Sequence, residues 1–447
     1  MTDVMALDAV GQADAVRRGE LSAAELTDAY LARIERLDPL LNSFVTVDAD
    51  GAREAAAAIG RGLDGPPLAG VAFSIKDVDD VAGLPTTHSC ELLADAVAEG
   101  DDPVVARFRA GGLVLLGKTN VPEFCTSMTT SRLNGICRMP WDTSLSPTGS
   151  SGGAAVAVAA GLCSAALCGL VGLKPTRGLV AFGPLDGPAY IQTSVPGVLT
   201  RSVRDAAALL DVMAPPGPWT PSRPRPYADE VGGDPGRLRV GLCTAPPYGT
   251  IEPACGDAVH AVGRTLEGLG HEVVEVTPPW EVLMPGYGLP MGGVSPADVV
   301  DLADAGRVEP RNVSFVERMA TMTLLEHSRL VEANRAATKA FMAQWGQDVL
   351  VTPTTGLFAP PVDWAPWDLE KDAHSARMSG YPSFAQPFNV SGQPAISVPV
   401  ASNPSGLPLG LQLVGRHLEE ATLLRLASQL ELARPWADRL RRMAATL

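Results

Sequence analysis

The chain has 447 residues, 46% hydrophobic and 19% charged, which excludes a disordered tail and a disulfide-stapled miniprotein. The 35 basic and 50 acidic residues leave a net charge of −15, the wrong sign for a nucleic-acid or anionic-membrane binder. Cys90, Cys125, Cys137, Cys163, Cys168, Cys243 and Cys255 are scattered, odd in number and without a C-x-x-C pair, so a reducing, cytoplasmic setting is expected.

The N-terminus, MTDVMALDAV, has no basic stretch followed by an apolar run, so no signal peptide is expected. Ser22-Ala-Ala-Glu25 is a capping box, with Leu21 and Leu26 at the positions of a hydrophobic staple. Leu26, Tyr30, Ile34 and Leu37 then recur at helical spacing. A second, Ala-rich helix covers Gly51 to Ile59. Leu68-Ala-Gly-Val-Ala-Phe-Ser-Ile75 follows Pro67 and predicts a buried strand ending at Lys76-Asp77. Asp102 and Pro103 open a helix that Gly111-Gly112 closes, and Leu113–Leu116 reads as a second buried strand. Strand, helix and strand at this spacing predict a β-α-β arrangement and a largely parallel sheet.

A loop-rich stretch, Asn134 to Gly153, leads into an apolar helix over Ala154–Leu162, which reads as buried rather than membrane-spanning. Pro215–Pro226 is a Pro-rich linker or surface loop. Arg239–Leu242 reads as a strand, Ala258–Leu269 as a helix, and His271–Val276 as a strand. One long helical stretch is expected from Ser314 to Trp345. Strands return at Val349–Thr352, Ala395–Val398 and Leu409–Val414, and a final helix starts near Glu419.

Candidate chemistry is sparse. His88, His260, His271, His327, His374 and His417 show no ligand spacing, so no metal is expected. No phosphate-binding loop is present, so no cofactor is expected either. The five lysines are Lys76, Lys118, Lys174, Lys339 and Lys371. Lys76 ends a buried strand, where desolvation lowers an amine's pKa and suits it to general-base work. The structural alternative is a snorkelling lysine, or one paired with Asp77. Gly149-Ser-Ser-Gly-Gly153 precedes a helix, where hydroxyls and amides can hold an anion or merely cap the helix. It also fits G-x-S-x-G around Ser151, but Pro140–Pro147 is a poor strand for a nucleophile elbow.

Together these segments resemble the amidase signature family. The resemblance rests on Gly70-Val-Ala-Phe-Ser-Ile-Lys-Asp77 with Gly83-Leu-Pro-Thr-Thr87, on Gly117-Lys-Thr-Asn-Val-Pro-Glu-Phe124 and on Gly149–Gly153. It continues through Gly172-Leu-Lys-Pro-Thr-Arg-Gly178 and Thr200-Arg-Ser-Val-Arg-Asp-Ala-Ala207. Near the C-terminus it includes Pro387-Phe-Asn-Val-Ser-Gly-Gln-Pro-Ala-Ile-Ser397 and Gly406-Leu-Pro-Leu-Gly-Leu-Gln-Leu-Val-Gly415.

The resemblance implies an α/β/α sandwich around a large mixed, mostly parallel central sheet, as one amidase domain over residues 1–447. It implies hydrolysis of C–N bonds in small carboxamides by a Ser–cis-Ser–Lys triad, with Lys76 as base and Ser150 as the bridging cis-Ser. The implied partner is a small-molecule amide, with no nucleic acid or membrane, and a homodimer is the assembly considered.

The family's nucleophile sits in a G-T-D-x-G-G-S-I-R-x-P-A stretch that this chain lacks. Ala165-Ala-Leu167 runs straight into Cys168, and only 24 positions separate Ser150 from Lys174. Three readings stay open: a non-catalytic homologue acting as a binding or scaffold protein, a surrogate nucleophile at Ser151 or Ser150, or an excised coding segment.

Overall fold

In the strand Val114–Thr119, Leu115 packs into one hydrophobic core while Val114 and Leu116 pack into another. Successive strand side chains point to opposite faces, so an apolar run of this kind must lie between two layers. Phe73 and Ile75 likewise face the first core and Ala72 the second. This is the expected sandwich, with helices on both faces of one sheet. The computed structural model describes residues 4–59, 65–166, 170–180, 193–216, 221–288, 302–381 and 383–445.

Among the described residues, eleven strands build the main sheet. The first six are Phe44–Val47 (β1), Ala72–Lys76 (β2), Val114–Thr119 (β3), Ala165–Ala166 (β4), Val171–Lys174 (β5) and Val198–Thr200 (β6). The others are Arg239–Leu242 (β7), Glu272–Glu275 (β8), Val349–Pro353 (β9), Ala395–Ser402 (β10) and Pro408–Val414 (β11). Their spatial order is β1-β3-β2-β4-β6-β5-β10-β11-β9-β7-β8.

The sheet is mixed, as expected, but it is not mostly parallel. Six of its ten neighbouring pairs are antiparallel, with parallel pairing confined to β3-β2-β4 and β9-β7-β8. The reason at β10 and β11 is the five-residue link Asn403–Leu407, which permits a hairpin and no crossover helix. One connection is unusual. β4 and β5 point the same way with β6 between them, yet only four residues, 167–170, join them. Parallel strands ordinarily need roughly a dozen connecting residues or more.

The capping box at Ser22 forms as the motif requires, with Ser22 Oγ accepting from Glu25 N and Glu25 accepting from Ser22 N. Leu26, Tyr30, Ile34 and Leu37 all bury their faces against the sheet. Two expectations need correction. The strand before Lys76 starts at Ala72 rather than Leu68, because Leu68–Val71 turns through Gly70 at φ 84°. The helical stretch from Ser314 to Trp345 is two helices, Val313–Thr321 and Leu324–Met342. Thr323 and Glu326 form a second capping box and start the later helix afresh. Part of Pro215–Pro226, and the Leu167–Cys168 junction, lie outside the described residues. Among those described, no helix is long and apolar enough to cross a membrane.

Candidate active site

Lys76 is the last residue of β2, whose four preceding residues are buried. The strand therefore delivers a half-buried amine to the sheet's end. There Lys76 Nζ donates to Ser150 Oγ at 3.1 Å, across 74 residues of sequence. The Gly149–Ser150 peptide is cis. Ser151, the next residue, is the N-cap of the helix Gly152–Ala159, and its hydroxyl makes no capping bond. No strand runs into this turn, so it is not a nucleophile elbow.

The glycines around the two serines are dictated by close approach. A Cβ on Gly149 would sit 2.1 Å from Ser127 O, and one on Gly152 2.3 Å from Thr129 Oγ1. One on Gly153 would meet the backbone of Asn120 at 2.4 Å and of Ser43 at 2.6 Å. Those neighbours also use the amides of the helix's first turn. Gly152 N donates to Thr129 Oγ1 at 3.0 Å and Gly153 N to Asn120 O at 3.1 Å. Thr129 Oγ1 in turn donates to Thr148 O at 2.8 Å. The expectation of an anion site at this helix start is thus corrected for these two amides, which are already bonded. Gly153→Ala is expected to lower stability by about 3 kcal/mol or more, since only backbone stands in its way. Thermal denaturation reads this, and an unchanged midpoint would show that the loop can shift.

Asp77 does not pair with Lys76. Its carboxylate faces Lys118 at 3.4 Å, both side chains fully buried, and accepts from Thr87 N and Oγ1. Burial raises the Asp77 pKa, against the pull of Lys118 and Thr87. Lys118 also donates to Pro85 O at 3.0 Å and Thr86 Oγ1 at 2.9 Å. The 85–88 segment is thereby tied down beside β2.

His88 follows in a left-handed conformation, φ 49°, with its amide on Asp77 O. Burial, with Lys118 and Lys76 nearby, pushes its pKa down to about 4, so it is neutral at pH 7. Thr129 and His88 escaped the sequence reading. His88 was visible only as one histidine among six without ligand spacing, and nothing in the sequence marks Thr129.

The arrangement can move a proton. A hydroxyl within hydrogen-bond reach of an amine at the end of a buried strand is the geometry of base-assisted nucleophilic catalysis.

Comparison with known proteins gives the family. The amidase family model matches residues 25–285 and 303–424. The chain is 36% identical to a 6-aminohexanoate-cyclic-dimer hydrolase of a Pseudomonas species, covering 97% of this chain and 96% of that one. It is 38% identical to the putative amidase AmiB2 of Mycobacterium tuberculosis, covering 98% of each chain. The solved structure of a 6-aminohexanoate cyclic dimer hydrolase complexed with substrate superposes with a TM-score of 0.85 at 31% identity, over 99% of this chain and 100% of that one.

Proposed function

The chain belongs to the amidase family and is by that membership a C–N hydrolase, and from this premise we propose that it cleaves small carboxamides with Lys76 as base and Ser150 as proton relay. One observation carries the assignment: the 3.1 Å bond from Lys76 Nζ to Ser150 Oγ. A neutral Lys76 amine takes the Ser150 proton as Ser150 takes one from the nucleophile.

With the family's Gly-Gly-Ser-Ile-Arg stretch absent, Ser151 is the proposed surrogate. Its Oγ forms a bond to the amide carbon, the C–N bond breaks, and the amine leaves with the proton returned through Ser150. Water then hydrolyses the Ser151 ester, releasing the carboxylic acid and restoring the hydroxyl. No metal or cofactor enters these steps.

We read residues 1–447 as one amidase domain in a reducing, cytoplasmic setting, acting on a small-molecule amide and assembled as a homodimer. The missing stretch also favours a second reading, a catalytically inactive homologue that uses the old pocket for binding.

An activated ester and a set of small carboxamides, the 6-aminohexanoate cyclic dimer among them, separate the two. The first reading expects slow ester hydrolysis, slower amide hydrolysis, and an acyl group on Ser151 by mass spectrometry. Saturable amide binding with neither acylation nor turnover would establish the second.

A further inference from the structure

A cavity of about 330 Å³ opens beside the helix Leu324–Met342, remote in sequence from the Lys76–Ser150 pair. Three cationic side chains line it, Arg177, Arg335 and Lys339, beside His417, whose pKa burial lowers. The chain as a whole carries a charge of −15 and only five lysines, so this is a local reversal of sign. Asn334, Thr338 and Ser391 complete the wall.

The polar groups are unevenly satisfied. Arg177 Nη2 donates to Val390 O at 2.6 Å, while its buried Nε has no partner among the described residues. His417 Nε2 meets Ser391 O at 2.9 Å. Arg335 is held at the rim by Glu332 at 2.8 Å, and Lys339 forms no ion pair among the described residues. The counter-charge behind the wall is the buried Glu420, whose carboxylate accepts from Thr176 N at 2.7 Å.

Asn334 is 1% exposed, and its Oδ1 has no hydrogen-bond partner among the described residues. A buried acceptor without a donor is costly. The wall therefore offers cations to an anion and one buried acceptor to an N–H or O–H.

We propose that this cavity binds a small carboxylate that also carries a hydrogen-bond donor, such as a hydroxy or amino acid. The carboxylate sits against Lys339, Arg335 and Arg177, and the donor meets Asn334 Oδ1. The site is distinct from the catalytic pair but lies at the same end of the sheet. β5, which leads to Arg177, runs in the direction of β2 and stands three strand spacings from it, about 14 Å.

Calorimetric titration at fixed ionic strength, with glycolate, acetate and phosphate as probes, tests this. Glycolate should bind saturably at one site, about fivefold tighter than acetate, which lacks the donor. Lys339→Glu should weaken glycolate by about tenfold or more, because a charge-assisted contact is replaced by repulsion. Asn334→Leu should bring glycolate down to acetate. Should that variant fail to fold, Lys339→Glu at the exposed rim carries the test alone. Absence of saturable glycolate binding, or binding unchanged in Lys339→Glu, overturns the proposal. Phosphate binding tighter than glycolate would overturn the carboxylate assignment.

Discussion

Inserting a family-like Gly-Gly-Ser segment between Leu167 and Cys168 should raise amide hydrolysis by roughly a thousandfold or more, since loss of a serine nucleophile alone can cost about a millionfold in kcat. The direction of β4 supports that position. β4 pairs in parallel with β2, Phe73 against Ala165 and Ser74 against Ala166, so β4 runs toward the end of the sheet where Lys76 stands. Only four residues join β4 to β5, so an insertion there lengthens a link that is short for parallel strands. Oxyanion donors would come with the glycines, worth about a further hundredfold or more. If neither the chain as it stands nor the extended one hydrolyses amides, the binding-protein reading takes over. Genomic DNA across codons 167 and 168 shows whether the excision is natural.

Lys76→Ala should abolish whatever ester turnover the chain has, a loss of about a hundredfold to ten-thousandfold expected of a general base. An activated ester is the substrate of choice, because its leaving group needs little protonation and tolerates a poor oxyanion hole. Ser150→Ala and Ser151→Ala then divide the roles. If Ser151 is the nucleophile, its removal ends acylation outright, whereas loss of Ser150 slows acylation with the acylated residue unchanged. Far-ultraviolet circular dichroism on each variant guards against misfolding, since Lys76 lies at a strand end and not in the core. Robust amide hydrolysis indifferent to Lys76→Ala would overturn the mechanism.

Much of this was legible from the residues. The capping box at Ser22, the buried runs at Ala72–Ile75 and Val114–Leu116, and the glycines at 149, 152 and 153 each carry a local physical signal that the fold obeys. The break at Thr323 was legible too, by the same capping pattern, but helical periodicity continues across it and masks it. Sheet direction was not, because an apolar run buried on both faces looks alike in parallel and antiparallel neighbours. Nor was the choice of Lys118 over Lys76 as the partner of Asp77. Lys76 ends the strand and Asp77 follows it, and only the tertiary pairing shows that Lys118 meets Asp77 while Lys76 meets Ser150. Thr129 and Asn120 hold the turn around Ser150 through contacts 19 to 33 positions away in sequence, which no spacing rule reports.

The seam between β5 and β10 bears on how the chain is made. Strands β1 to β6 come from residues 44–200 and β7 to β11 from residues 239–414, and the two blocks meet only where Gly172, Leu173 and Lys174 pair with Ser397, Ile396 and Ala395. A ribosome that has emitted β6 must still deliver nearly two hundred residues before β10 arrives, about 10 to 40 s of synthesis. Throughout that interval the β5 edge presents unpaired amides and carbonyls to other nascent chains. Slower translation, or chaperones that shield an open edge, should therefore change how much of this protein is recovered in soluble form.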